Sequence, residues 1–387
     1  MKRKIRMGMV GGGQGAFIGS IHRMAAALDG QIDLVCGAFS SDPQRSRDSG
    51  AALYLPPDRC YGDYTPMIRA EADLPEDQRM DFVSIVTPNH MHFGPAMMAL
   101  DNGFHVICDK PMCLTVDEAK LLRKKVTDTG LLFALTHTYT GYPMVKQARQ
   151  MIMRGELGQI RRVVVEYPQG WLSTALENAN QKQASWRTDP ERSGVAGAMG
   201  DIGTHAENLA EYITGLDIEF ICADLHSHIP GRRLDDDGSV LLRLQHGARG
   251  VLYASQVSAG EENNLRIRVY GEKGGLDWSQ MEPNSLTVRW LDRPMQVLRT
   301  GVGPLYPEAQ AHTRIPAGHP EGYLEAFANI YRNVAYNIQA QIEKKHLDPV
   351  YMDFPSVEDG VRGMQFIAAV VKSGKHDVPK WVAVGDV

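Results

Sequence analysis

The sequence predicts two domains: an α/β domain built on a parallel sheet, and an α+β domain whose open antiparallel sheet is covered by helices on one face. Three observations predict this fold class. A glycine-rich turn at residues 11–19 joins the first strand to the first helix. Apolar strands then alternate with helices as far as His137, as in βαβ units. Beyond residue 155, β-rich segments follow one another through short turns, as in antiparallel sheets.

The length and composition support a two-domain globular protein. A chain of 387 residues is too long for one ordinary hydrophobic core, so we predict domains at 1–137 and 138–387. Apolar residues make up 43% and charged residues 22%, and the net charge is −5. No basic field therefore favours nucleic acid or an anionic membrane surface as a partner.

The cysteines and the N-terminus indicate a reducing, cytoplasmic compartment. The five cysteines show no metal-type spacing, and two of them, Cys36 and Cys108, lie within predicted buried strands. The apolar stretch near the N-terminus is too short for a signal peptide. No apolar run approaches the roughly 20 residues that a membrane helix needs.

The glycine-rich turn predicts a dinucleotide site. Gly11, Gly13 and Ala16 fit the pattern G-x-G-x-x-G/A between a strand and a helix. Gly11 permits a tight turn, Gly13 has no Cβ to block a pyrophosphate, and the helix N-terminus offers N–H groups. A glycine turn alone is weak evidence, and the strand before it and the helix after it strengthen the prediction. Neighbouring candidates for cofactor contact are Gln14, Phe17 and Ile18.

The end of the second strand, near residue 39, leaves the choice between NAD and NADP open. The acidic residue that commonly binds the adenosine ribose of NAD is missing there. Ser40 and Arg45 could instead hold a 2′-phosphate, whereas the simpler interpretation is that Asp42 and Pro43 start the next helix. We slightly favour NAD, because no arginine directly follows the strand.

Two further strands end in polar motifs. Residues 81–86 lead into Thr87, Pro88 and Asn89, and then His92; residues 105–108 lead into Asp109 and Lys110. Ligands bind at the carboxyl ends of strands in open α/β sheets, so we expect these side chains to face a cofactor or substrate. The simpler alternative for Lys110-Pro111 is an ordinary turn, and the bond between them is a candidate for the cis form.

The second half contains another polar pair, Asp201 and His205. They are four residues apart and share one face of a predicted helix whose start is rich in glycine. Taken alone, Asp201 could simply cap that helix. Nothing supplies a third ligand at zinc spacing. Residues 235–238 resemble the start of a calcium loop but lack its closing Glu, so we predict a turn before a strand.

Together these motifs resemble those of the glucose–fructose oxidoreductase/inositol dehydrogenase/rhizopine catabolism (Gfo/Idh/MocA) family. The resemblance spans nearly the whole chain in order. It implies an N-terminal Rossmann domain and NAD(P)-dependent oxidoreduction of a hydroxyl on a sugar, glycoside or cyclitol. It also implies a catalytic set of Lys110, Asp201 and His205. The family usually has Glu where this chain has Asp109, and the segment 17–19 is less typical.

On this interpretation His205 is the general base, Lys110 stabilises the charge developing on the substrate oxygen, and Asp201 orients the sugar. Candidates for lining the sugar site are His137, Tyr139, Trp186, Arg187 and His319.

Two other functions stay open. One is a glycosidase that oxidises its substrate transiently with bound NAD, which would release free sugar without net NADH. The other is a nucleotide-binding regulator without turnover. A large sheet with one uncovered face also predicts a homodimer or homotetramer through the second domain.

Overall fold

The computed structural model describes residues 3–179, 181–375 and 380–387. They fall into two compact units. The first comprises the chain up to Cys113, Asp117–Thr138 and Leu324–Val361. The second comprises Leu114–Val116, Tyr139–Tyr323 and the chain from Arg362 onwards.

The helices and strands are numbered in chain order. The helices are α1 (Phe17–Leu28), α2 (Pro43–Ala52), α3 (Tyr64–Asp73), α4 (Phe93–Asp101), α5 (Val116–Thr129), α6 (Pro143–Met153), α7 (Lys182–Arg187), α8 (Pro190–Ser193), α9 (Thr204–Thr214), α10 (Pro307–Ala311), α11 (Tyr323–Glu343) and α12 (Val357–Gly374). The strands are β1 (Ile5–Gly11), β2 (Ile32–Ala38), β3 (Phe82–Val86), β4 (His105–Cys108), β5 (Phe133–Leu135), β6 (Ile160–Pro168), β7 (Ile218–His226), β8 (Asp237–Leu244), β9 (Arg249–Ser255), β10 (Arg266–Gly271), β11 (Gly274–Ser279), β12 (Ser285–Trp290), β13 (Gln296–Arg299) and β14 (Val382–Ala383).

The first unit is built on a five-stranded sheet in the order β2-β1-β3-β4-β5. All its strand pairs are parallel. The central strands β3 and β4 are buried along their whole length, as expected for a parallel sheet with both faces covered. This confirms the α/β part of the predicted fold class.

Helix α11 contributes most of its length to the first unit, although the division predicted from sequence assigned residues 324–361 to the second domain. Its side chains pack against α1 and β3. The ring of Phe327 lies 4.7 Å from that of His22, and the ring of Tyr331 lies 6.3 Å from that of Phe82. Contacts between residues so far apart in the chain cannot be predicted from the local hydrophobic pattern of the sequence.

The second unit is built on a nine-stranded sheet in the order β13-β12-β11-β10-β6-β9-β8-β7-β14. Its pairs are antiparallel except β6 and β9, which run parallel. The mainly antiparallel sheet confirms the predicted class of this domain. Strand β11 was not predicted, because its opening glycines, Gly274 and Gly275, are also typical of a turn.

One face of this sheet carries α6 and α9, and side chains alternate between the covered and uncovered faces. On β8, Val240 and Leu242 are buried, whereas Leu241 between them is 50% exposed. Phe220 on β7 is also exposed. No helix in the described part of the chain is long and apolar enough to cross a membrane.

Candidate active site

The first sheet brings the predicted cofactor residues to one edge. Gly11 ends β1, Thr87 and Asp109 directly follow β3 and β4, and Ser40 and His137 lie two residues beyond β2 and β5. Parallel strands place their carboxyl ends at a common edge, and the order of strands reverses between β1 and β3. This is the place where open α/β sheets bind their ligands.

The glycine turn is tight, and its glycines serve close packing. Gly11 has φ +81° and Gly12 has φ +70°, in the left-handed region that favours glycine. A Cβ on Gly13 would lie 2.7 Å from the carbonyl oxygen of Phe39, so this glycine is needed for packing against the end of β2. A Cβ on Gly19 would lie 2.3 Å from the Gly12 oxygen, so Gly19 permits the close approach of α1. The motif therefore continues beyond Ala16.

The N-terminus of α1 suits a phosphate group. Ala16 is its N-cap residue and supplies no side-chain cap for the N–H groups of the first turn. Such groups and the helix dipole favour an anion. Phe17, the first helical residue, is 68% exposed, and Gln14 is exposed next to the turn. Ile18 is half-buried.

The residues after β2 form the start of α2, as the simpler interpretation predicted. The Asp42 carboxylate accepts a hydrogen bond from the Arg45 N–H at 2.8 Å, and Pro43 occupies the first turn. The Ser40 hydroxyl accepts from the Asp42 N–H. The side chain of Arg45 is exposed.

His92 joins the loop after β3 to the loop after β4. Its Nδ1 lies 2.8 Å from the Pro111 carbonyl oxygen, and its Nε2 lies 2.9 Å from the Thr87 carbonyl oxygen. Burial lowers the pKa of His92, against the opposing effects of Asp109 and the two carbonyl groups. Pro88 is half-buried and Asn89 is buried in the turn between Thr87 and His92.

Asp109 lies among several donors. Its carboxylate accepts hydrogen bonds from the Thr136 hydroxyl at 2.7 Å and from the Lys110 N–H at 3.1 Å. Nε2 of the buried His22 lies 3.8 Å away. Burial raises the pKa of Asp109, but His22, Lys110 and Thr136 together outweigh it and hold that pKa well below its usual range. The carboxylate is therefore ionised at neutral pH.

Lys110 precedes a cis peptide bond to Pro111, as considered from the sequence. Its ammonium acts electrostatically on the ring of His137, which is buried. Burial and then Lys110 lower the pKa of His137 to about 3, so this imidazole is neutral at physiological pH.

In the second unit, Asp201 lies in a turn of π-helix, Met199–Gly203, that leads into α9. Its carboxylate accepts from the Arg187 Nε at 3.0 Å and from the Gln256 Nε2 at 2.8 Å. The residue that caps this helical segment is Asp235, whose two oxygens accept from the N–H groups of Gly197 and Met199. Asp235 thus has a structural role that the prediction of a simple turn did not include.

Arg187 is stacked between aromatic rings. Its guanidinium carbon lies 4.2 Å from the centre of the Trp186 ring and 5.9 Å from that of Trp171. Gln183 accepts a hydrogen bond from the Arg187 Nη1 at 2.6 Å. A planar charged group and indole faces beside a carboxylate form a surface suited to a polyhydroxylated ligand.

His205 packs against two tyrosines. Its ring centre lies 4.9 Å from that of Tyr139 in an edge-on arrangement, and 6.3 Å from that of Tyr167. The two tyrosine hydroxyls are hydrogen-bonded to each other, and Asn263 bonds both. Burial raises the pKa of both tyrosines, so they stay protonated and can act as donors.

The second unit therefore groups Arg187 with Trp186 and Asp201, and His205 with Tyr139. His319 lies on an exposed turn, where its Nδ1 is 3.1 Å from the Pro316 carbonyl oxygen.

Several contact residues were missed from the sequence. Thr136 and Gln256 directly follow strand ends, which is the same signal that identified Lys110. Trp171 lies three residues beyond β6 and could have been found in the same way. Other residues carry no local signal, because their partners are distant in sequence: His22, Tyr167, Asn263 and Tyr331.

A parallel sheet with a glycine turn after β1 and an ionised carboxylate after β4 is typical of nucleotide-dependent oxidoreductases. Comparison with known families agrees. Residues 5–137 match the model of the oxidoreductase family with an NAD-binding Rossmann fold, and residues 145–277 match the GFO/IDH/MocA C-terminal domain.

Individual relatives match over nearly the whole chain. The uncharacterised oxidoreductase YfiI of Bacillus subtilis is 32% identical over 97% of this chain and 96% of its own. An oxidoreductase structure from Sinorhizobium meliloti is 44% identical, with a TM-score of 0.89 over 98% of this chain and 99% of that one. An inositol dehydrogenase homologue from Azotobacter vinelandii, solved with NAD⁺, is 36% identical, with a TM-score of 0.93 over 98% and 97%. The chain belongs to the Gfo/Idh/MocA family and is an NAD(P)-dependent oxidoreductase.

Proposed function

We propose that this enzyme is a dehydrogenase that transfers a hydride between NAD(P) and a secondary hydroxyl of a sugar, glycoside or cyclitol. The observation that carries the proposal is a set of polar side chains that follow strand β4 and begin helix α9. Lys110 follows β4 beside an ionised Asp109, and Asp201 and His205 occupy the start of α9 and the π-turn before it. Relatives support the substrate class. The Azotobacter vinelandii homologue was also solved with NADH and myo-inositol. A levoglucosan dehydrogenase from Pseudarthrobacter phenanthrenivorans is 26% identical over 81% of this chain.

The first unit would hold the cofactor. The uncapped first turn of α1 offers N–H groups to its phosphates, and the edge formed by β3 and β4 offers polar groups to the nicotinamide ribose. When bound, the nicotinamide accepts the hydride. The residues proposed to contact it are Gly11, Gly13, Gln14, Ala16, Phe17, Ile18, Ser40, Arg45, Thr87, Pro88, Asn89, His92, Asp109 and Lys110.

The chemical roles follow from charge and proton affinity. As the carbinol carbon loses a hydride, the hydroxyl must lose a proton, and His205 is proposed as the base that takes it. Lys110 would donate to the same oxygen and stabilise its developing negative charge. Asp201, bonded to Arg187 and Gln256, would accept from a neighbouring sugar hydroxyl.

The substrate would lie against the side chains of His137, Tyr139, Trp186, Arg187 and His319. The neutral imidazole of His137 can both donate and accept a hydrogen bond, which suits a sugar hydroxyl. The indole face of Trp186 suits the apolar face of a sugar ring. His319 has the weakest support, because it lies on an exposed turn.

The preferred cofactor is proposed to be NAD, because Asp42 caps α2 and Arg45 is exposed rather than held at the end of β2. We further propose a cytoplasmic homodimer or homotetramer formed through the uncovered face of the second sheet.

A spectrophotometric screen tests the proposal. Purified enzyme is incubated with NAD⁺ or NADP⁺ and a panel of sugars, inositols and glycosides, and absorbance is followed at 340 nm. We expect the coenzyme to be reduced with at least one polyol. Turnover should be more efficient with NAD⁺ than with NADP⁺. Release of free sugar without net reduction of the coenzyme would indicate the glycosidase instead. Absence of turnover with every substrate would favour a nucleotide-binding regulator.

A further inference from the structure

The interior of the first unit contains a chain of polar side chains that ends at Asp109. The Ser84 hydroxyl in β3 lies 2.7 Å from the Tyr331 hydroxyl in α11. The same Tyr331 oxygen lies 2.7 Å from Nδ1 of His22 in α1. Nε2 of His22 faces the Asp109 carboxylate at 3.8 Å. Ser84, His22 and Tyr331 are all fully buried.

The charge at one end of this chain places one proton. Because the Asp109 carboxylate is ionised, it can only accept, so the Nε2 of His22 that faces it carries a proton. On the other side of the ring, Nδ1 shares a hydrogen bond with the Tyr331 hydroxyl, and that hydroxyl shares another with Ser84. The imidazole of His22 therefore lies between Tyr331 and Asp109.

Packing also fixes the ring of His22. The Phe327 ring lies edge-on to it at 4.7 Å, and the Tyr331 ring lies edge-on at 5.9 Å. A buried imidazole held by two rings and one hydroxyl cannot turn freely. Its Nε2 is therefore held facing the Asp109 carboxylate, in the way that buried groups behind a functional side chain orient it.

We propose that His22 and Tyr331 are positioning residues, which hold the Asp109 carboxylate in the orientation that binds the coenzyme. Neither residue touches the coenzyme in this proposal; both act through Asp109. The inference rests on the proposed function, in which Asp109 contacts the nicotinamide ribose. It adds two residues, from α1 and α11, that support the cofactor site from behind Asp109.

A matched pair of substitutions distinguishes positioning from packing. Glutamine places its amide near the former Nε2, so His22→Gln keeps a donor facing Asp109. Asparagine places its amide near the former Nδ1, so His22→Asn keeps the contact with Tyr331 and loses the donor to Asp109. Tyr331→Phe removes the hydroxyl that is hydrogen-bonded to Nδ1 of His22. Tyr336→Phe, on the same helix, is the control.

The readout is the Kd for NADH from fluorescence titration, with the melting temperature of each variant measured alongside. We expect His22→Asn and Tyr331→Phe each to weaken NADH binding about fivefold, the scale of losing one polar contact. His22→Gln and Tyr336→Phe should bind within about twofold of the unmodified enzyme. The double variant His22→Asn/Tyr331→Phe should be no weaker than His22→Asn alone, because both changes break one chain.

Unchanged NADH binding by Tyr331→Phe, or equal weakening by the glutamine and asparagine variants, would overturn the inference. The test is separate from that of the proposed function, since it measures binding only. An enzyme that binds NADH but oxidises no polyol would contradict the proposed substrate class and leave the positioning test intact.

Discussion

Lys110 is the residue on which the proposed chemistry depends most. It follows β4 at the carboxyl edge of the first sheet and lies next to the ionised Asp109. It also contributes to keeping His137 neutral. A cation in this setting serves to stabilise negative charge that develops on an oxygen.

Replacing Lys110 by alanine should lower kcat by at least about 100-fold, the usual effect of removing one donor to a developing oxyanion. NADH binding should change much less, so the loss would appear in the chemical step. Steady-state kinetics at 340 nm and an NADH titration measure the two effects. Turnover close to that of the unmodified enzyme would refute this role.

The protonation of His105 makes the stability of the fold depend on pH. It is buried at the start of β4, and its Nδ1 accepts a hydrogen bond from the Leu132 N–H at 2.9 Å. Burial lowers its pKa to about 4. Between this value and the unfolded pKa near 6.5, the unfolded chain binds the extra proton, so stability falls as the pH falls.

Denaturant unfolding between pH 7 and pH 4 tests this relation. His105 should account for about 3 kcal/mol of the stability lost by pH 4. His105→Asn keeps an acceptor near Nδ1 and cannot titrate, so its free energy of unfolding should fall less steeply. Parallel curves for the two proteins would mean that His105 does not carry the effect.

The polar residues at strand ends could be predicted from sequence, whereas the buried residues that contact them could not. Asp109 and Lys110 are visible because a polar pair follows an apolar strand, and parallel strands share a carboxyl edge. His22 and Tyr331 are 309 positions apart, and their contact depends on how α11 packs. Local patterns contain no information on such a pair.

At the scale of elements, the segment from the π-turn through α9 holds both Asp201 and His205. The sequence predicted a shared helix face, and it left Asp201 as a possible cap. The structure assigns the capping to Asp235, which arrives from the turn before β8 and binds the Gly197 and Met199 N–H groups. A cap supplied from another element cannot be recognised by its spacing.

Asp235→Ala should therefore lower the free energy of unfolding by about 1–2 kcal/mol, since a lost cap leaves two backbone donors without their acceptor. It should also lower kcat/KM, because the segment that carries Asp201 is no longer anchored. Asp63→Ala, which removes the N-cap of α3, is a matched control for stability. Equal kcat/KM in the two variants would contradict the anchoring role.

At the scale of the whole molecule, the uncovered face of the nine-stranded sheet is the feature that predicts self-association. Leu241 on β8 is half exposed and pairs with Cys222 on β7 and Val251 on β9. Apolar residues that are partly exposed on adjacent strands favour burial against another protein surface. A second copy of the chain is the proposed partner.

Analytical ultracentrifugation tests the assembly. The unmodified enzyme should sediment as a dimer or tetramer. Leu241→Glu places a charge on the uncovered face and should shift the equilibrium towards the monomer, while Leu121→Glu, an exposed leucine on α5, should not. A monomeric unmodified enzyme would contradict the proposed assembly and would leave the catalytic proposal unaffected.

The most direct measurement of the central claim is a crystal structure of this enzyme with NADH and a polyol that it oxidises. The proposal requires the Lys110 Nζ and a ring nitrogen of His205 to lie within about 3 Å of the same substrate oxygen, the range in which protons are transferred. An oxygen that contacts neither group, or a nicotinamide bound away from both, would contradict the assignment of these residues.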